Sequence, residues 1–97
     1  MICSFGNKTA RDLFHGESSR YARKLPNELH AIAVRKLDQL NTASKLVDLR
    51  IPPSNRLEPL KGELKGFYSI RINDQWRVVF KWSAAGPEEV QIMDYHK

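Results

Sequence analysis

The chain has 97 residues, 41% of them apolar and 28% charged, which suits a single globular domain over residues 1–97 and excludes a disordered chain or a membrane bundle. Sixteen Lys and Arg against eleven Asp and Glu leave a net charge of +5 and a pI near 9.6, so polyanions, nucleic acid first among them, are the natural partners. Cys3 is alone, no Cys or His spacing resembles a zinc site, and neither a secretory leader nor a bilayer-spanning run occurs, so the expectation is a cytoplasmic protein with no metal, no cofactor and no membrane partner.

In chain order, a short strand is expected from Ile2 to Phe5 at a sheet edge, then a short helix from Lys8 to about His15. Leu25, Leu29, Ile32, Ala33, Lys36/Leu37 and Leu40 recur at steps of three and four, which gathers them on one stripe of a helix, with Pro26 suited to its first turn. Asn27, His30, Arg35, Asp38 and Gln39 take the opposite, wet face. Another turn or two is expected at Ala43–Asp48, and Ile51-Pro52-Pro53-Ser54-Asn55 breaks the chain into a helical half and a strand half.

Beyond that break the period becomes two. Phe67, Ser69 and Arg71 alternate with Tyr68, Ile70 and Ile72; Asn73-Asp74 turns the chain; Trp76–Trp82 and Val90–Tyr95 supply two further strands. The fold class expected is α+β, with N-terminal helices packed on a mainly antiparallel, twisted sheet of three to five strands.

Three features could carry chemistry. On the second strand, alternation sets Arg77, Val79 and Lys81 against an apolar face of Trp76, Val78, Phe80 and Trp82. Such a cationic sheet face suits phosphate, because the guanidinium fork matches phosphate oxygens; solvated sheet-surface cations pairing with carboxylates would give the same pattern. The segment Arg56–Gly66 mixes cations and carboxylates, and Lys61-Gly62 could set an ammonium against a phosphate or be a plain exposed turn. Asp94-Tyr95-His96 joins a carboxylate, a phenol and an imidazole at a strand end, with Asp94 and His96 on one side and Tyr95 on the other if the strand persists. Histidine is the group best suited to proton transfer near neutral pH, although terminal residues are commonly frayed.

Taken together, Arg56-Leu57-Glu58-Pro59-Leu60-Lys61-Gly62, Tyr68–Phe80 and the closing Asp94-Tyr95-His96 resemble the HigB toxins within the RelE/ParE superfamily, and Asp48-Leu49-Arg50-Ile51-Pro52-Pro53 fits as well. The resemblance implies a RelE/ParE-like domain and the toxin of a type II toxin–antitoxin pair. It further implies a ribosome-dependent mRNA endoribonuclease that needs no metal, since the ribose 2′-oxygen attacks the adjacent phosphate. A HigA-like helix-turn-helix antitoxin is the implied partner, along with the ribosome and mRNA, and operator DNA only through the antitoxin complex. Carried over by position, Lys61, Arg77, Asp94, Tyr95 and His96 are the implied catalytic set; Arg71, Lys65 and Lys81 are assigned to RNA binding. Glu58 stands where some relatives have histidine, as a base or merely as part of the loop. A ParE-like gyrase poison and a non-catalytic antitoxin-binding partner are the alternatives.

Overall fold

The computed structural model describes residues 1–95, so His96 and Lys97 lie outside the described residues. Helix α1 spans Lys8–Phe14 and helix α2 spans His30–Thr42; strands β1 (Glu58–Pro59), β2 (Tyr68–Arg71), β3 (Trp76–Ser83) and β4 (Gly86–Asp94) form one antiparallel sheet in the order β1-β2-β3-β4.

Helix α1 begins because Asn7 is extended and its side chain accepts the Ala10 N–H at 3.1 Å. The same amide clamps the helix to β4, donating to Ile92 O at 3.0 Å and accepting the Ile92 N–H at 3.3 Å. At the other end, the Asp12 carboxylate accepts from Ser19 Oγ at 2.6 Å and from the Arg11 guanidinium at 3.1 Å, which holds it below the usual carboxylate range, the serine contributing most.

The stripe expected on α2 is the one buried: Leu25, Ala33, Leu37 and Leu40 are fully covered, and Leu29 and Ile32 pack beside them. The 3-10 turn Asn27–Leu29 replaces the first part of the expected helix, and another, Ala22–Lys24, precedes it, since Pro26 offers no N–H to an upstream carbonyl. The opposite face is not uniformly wet. His30 Nε2 bonds Leu25 O at 2.8 Å, and Gln39 donates to Ile51 O while accepting from Asn55 Nδ2 at 3.1 Å. The Gln39 contacts tie the loop after α2 back onto the helix.

The apolar face of the sheet, with Ile70, Val78, Phe80, Val90 and Ile92, closes against Ala10, Leu13, Ala33, Leu37 and Leu40 in one cluster; Trp76 and Trp82 flank it. The Asn73 side chain folds the β2–β3 turn by accepting the Gln75 and Trp76 N–H groups at 2.9 and 2.7 Å. At the β3–β4 turn, Gly86 adopts φ +125°, and a Cβ there would meet the Met1 carbonyl oxygen at 2.7 Å, so the turn and the N-terminal backbone fit only around a glycine.

Two expectations need correction. The segment Ile2–Phe5 lies along β4, with Cys3 N–H on Pro87 O and Gly6 N–H on Val90 O at 2.8 Å, yet it makes only one parallel bridge, Phe5 to Val90. Glu89 sits at φ 50° beside a register shift between Val79 and Lys81; the bulge prevents a regular ladder from continuing along that edge. Strand β1, conversely, lies inside a segment read as loop. Among the described residues, no helix is long and apolar enough to cross a membrane.

Candidate active site

The face of the sheet turned away from the helices is assembled by register. Glu58 is opposite Ser69, Ser69 opposite Val79, and Val79 opposite Gln91. One step along, Arg71, Arg77 and Met93 are aligned. Paired residues share a face and alternate ones return to it, so Glu58, Ser69, Arg71, Arg77, Met93 and Tyr95 all belong to this surface. The Tyr95 backbone N–H bonds Gln75 O, which holds the chain just past the end of β4. From there the Tyr95 ring lies beside Arg77, the guanidinium carbon 5.5 Å from the ring centroid.

Arg77 is the least satisfied residue on this surface. Among the described residues, its buried Nε and Nη1 have no hydrogen-bond partner, and neither has the fully covered Ser69 Oγ. Leaving a buried donor unmatched costs about 1–3 kcal/mol, more for a charged group. Such donors are met by an acceptor from a ligand, an ion or water. A planar cationic fork flanked by a free hydroxyl is matched to a phosphate.

Tyr95 is the second member. Burial is the largest influence and raises its phenol above the ordinary value; the Glu58 carboxylate adds to the rise, while the Ser69 hydroxyl and the Arg77 guanidinium oppose it. Ser69 Oγ is near enough to be felt but outside hydrogen-bond geometry. The phenol therefore stays protonated and can donate.

Lys61 and Lys65 lie in the loop between β1 and β2. Lys61 precedes, and Lys65 follows, the 3-10 turn Gly62–Leu64, whose Gly62 has φ 65°. Leu64 shares a cavity of about 300 Å³ with Met93, Asp94 and Tyr95, so this loop sits against the C-terminal end of β4. Both lysines are exposed, and neither has an ion pair among the described residues.

Asp94, Arg71 and Lys81 each have a partner of their own. Asp94 is opposite Trp76 in register, hence on the other face, and its carboxylate accepts from Gln75 Nε2 at 3.1 Å. Lys81 shares the Arg77 face but pairs with Glu89 at 3.3 Å and lies over the Phe67 ring. Arg71 is ion-paired with Asp74 in the turn. His96 lies outside the described residues. Ser69 is the residue sequence reasoning passed over, although its place between Phe67 and Arg71 in the period-two pattern already set it on the cationic face. No group of three or more His, Cys, Asp or Glu among the described residues could hold a metal ion.

Comparison with known proteins adds a second line of observation. Residues 3–96 match the family described as the RelE-like toxin of the type II toxin–antitoxin system HigB. Toxin HigB-1 of Vibrio cholerae serotype O1 is 45% identical over 82 residues, 84% of each chain. Endoribonuclease HigB of Proteus vulgaris is 30% identical over 61 residues, 63% of this chain and 65% of its own. Among solved structures, the YoeB-YefM complex from Staphylococcus aureus matches with a TM-score of 0.54 at 20% identity, covering 100% of this chain and 99% of that one, a likeness of fold.

Proposed function

This chain belongs to the HigB family of RelE-like toxins of type II toxin–antitoxin systems, and from that premise we propose that it is an mRNA endoribonuclease acting on the translating ribosome. The single observation that carries the reading is Arg77, a guanidinium with two buried, unmatched N–H groups beside a tyrosine held in its protonated form. The cleavage of RNA by its own 2′-hydroxyl needs those properties.

In the proposed reaction the 2′-oxygen bonds to phosphorus and the P–O5′ bond breaks, leaving a 2′,3′-cyclic phosphate and a free 5′-hydroxyl. Arg77 Nε and Nη1 meet the extra negative charge on the phosphorane, and Lys61 adds a second cation from the rim. Glu58, the carboxylate whose field reaches Tyr95, takes the 2′ proton. The Tyr95 phenol gives its proton to the leaving 5′-oxygen, and solvent restores it. His96 is the second group of the C-terminal segment able to move a proton, and Asp94, on the reverse face, orients its neighbours in that segment.

Basic charge supplies affinity for RNA and makes it salt-dependent, while the ribosome holds the mRNA in line for attack. A HigA-like helix-turn-helix antitoxin neutralises the toxin, and operator DNA is contacted through that complex. Translation is the target, which sets the work in the cytoplasm.

The test is induction of the toxin followed by mapping of transcript 5′ ends, with Arg77→Ala, Tyr95→Phe and His96→Ala beside the wild type. Cuts inside translated codons, lost in Arg77→Ala and suppressed by blocking translation, are expected. Intact transcripts with trapped DNA breaks would replace this reading by a gyrase poison. Retained cutting in His96→Ala, with loss in Tyr95→Phe, would assign the proton transfer to the phenol alone.

A further inference from the structure

Between α2 and the β2–β3 turn lies a cavity of about 600 Å³ that the proposed chemistry does not use. Three cations, Arg35, Lys36 and Arg71, line it together with the neutral polar side chains of Gln39, Ser54 and Asn73, and among the described residues no carboxylate does. We propose that this cavity is a second phosphate subsite, which grips the RNA backbone beside the scissile phosphate. The proposal deepens the nuclease reading and rests on it for the identity of the polyanion.

The site is built rather than incidental. Asn55 is fully buried; its Nδ2 donates to Leu49 O at 3.0 Å and to Gln39 Oε1 at 3.1 Å, which leaves its Oδ1 to accept from Lys36 Nζ. The amide thus fixes the ammonium at the cavity wall without neutralising it. Burial, and then the neighbouring Arg35, lower the Lys36 pKa, so the folded chain holds these like charges together at a cost that a bound anion would offset. Arg35 has no ion pair among the described residues, and the Asp74 that pairs with Arg71 is 96% exposed, a contact that a phosphate displaces easily.

Position identifies the ligand. Arg71 is the register partner of Arg77 across β2 and β3, which sets their Cα atoms about 4.5–5.5 Å apart. Cavity and candidate active site are therefore neighbours across a single residue pair. An isolated carboxylate would engage one or the other; single-stranded RNA carries regularly repeated charges and engages both. Arg35 and Lys36, on a helix that supplies no residue to the active site, then become RNA contacts.

The experiment uses the full chain and a short single-stranded RNA methylated at every 2′-oxygen, which cannot be cut, with binding followed by fluorescence anisotropy over a range of salt. Arg35→Gln should reduce the slope of log K against log salt by about 0.7 and weaken binding roughly five- to tenfold at about 50 mM salt. Lys45→Gln, which removes the same charge from an exposed site away from the cavity, should change the slope less. Equal effects of the two substitutions, or no binding by the wild type, would overturn the proposal. So would an Arg35→Gln variant that loses antitoxin affinity but keeps its RNA affinity. Because the probe is uncleavable, a protein that binds it through Arg35 yet cuts no transcript keeps the cavity and loses the nuclease reading. Transcript cutting with unchanged binding in Arg35→Gln does the reverse.

Discussion

The two faces of one sheet are governed by opposite rules. On the helix side, Ile70, Val78, Phe80, Val90 and Ile92 are almost fully covered and pack into one cluster, and the flanking Trp76 buries its indole N–H without a partner among the described residues. On the other side, Ser69 and Val79 are just as well covered, yet among the described residues Ser69 Oγ and two nitrogens of Arg77 have no partner, and a protonated phenol and a carboxylate stand nearby. Burial alone does not separate core from site. What separates them is what they bury: the helix side covers almost only apolar side chains, whereas the other side also covers a hydroxyl and part of a guanidinium.

The sharpest way to break the comparison is to damage each face and ask what is lost. Phe80→Ala should destabilise the fold by about 3–5 kcal/mol, as truncation of a fully buried aromatic does; a urea titration measures it. Arg77→Ala should leave stability unchanged or slightly improved, since it removes donors that are buried and unmatched, while RNA cleavage falls about 10²–10³-fold. A large loss of stability in Arg77→Ala would show that this face is core as well.

Tyr95→Phe keeps the ring against Arg77 and deletes only the hydroxyl, so a fall in cleavage of about 10²-fold with no change in folding is expected. Its linkage has a definite sign. The folded phenol holds its proton more tightly than the unfolded one, so its contribution to stability is complete below the unfolded phenol pKa and is lost as pH rises through the folded one. Alkaline titration of stability should therefore be flatter in Tyr95→Phe than in the wild type. On the helix side, Asp12 shows the opposite dependence at the other end of the scale. Its pKa is depressed, chiefly by Ser19, so its contribution is present above the unfolded carboxylate value and fades as pH falls through the folded one. Ser19→Ala should weaken that acid dependence, the smallest effect of the series, visible in melts at acid pH.

Much of this was legible in the chain. The apolar stripe of α2, the alternation along β3 and the Asn73 turn follow from side-chain periodicity and turn chemistry, which act over a few residues. Strand β1 was not legible, because two exposed residues, one of them Pro59, carry no alternation. The placement of Asp94 and Tyr95 on opposite faces follows from strand geometry, whereas the contact of Tyr95 with Arg77 does not. Asp94 is opposite Trp76, and only the pairing of β3 with β4 brings Tyr95 to Arg77.

The sequence by itself therefore determined the residue types, the two-faced strands and, through its terminal motifs, the toxin family. Tertiary structure alone decided which polar atoms were left unmatched. Hydrogen-bond satisfaction and desolvation depend on groups far apart in the chain, such as Ser69, Arg77 and Tyr95, or Lys36 and Asn55, and no local pattern encodes whether such groups meet.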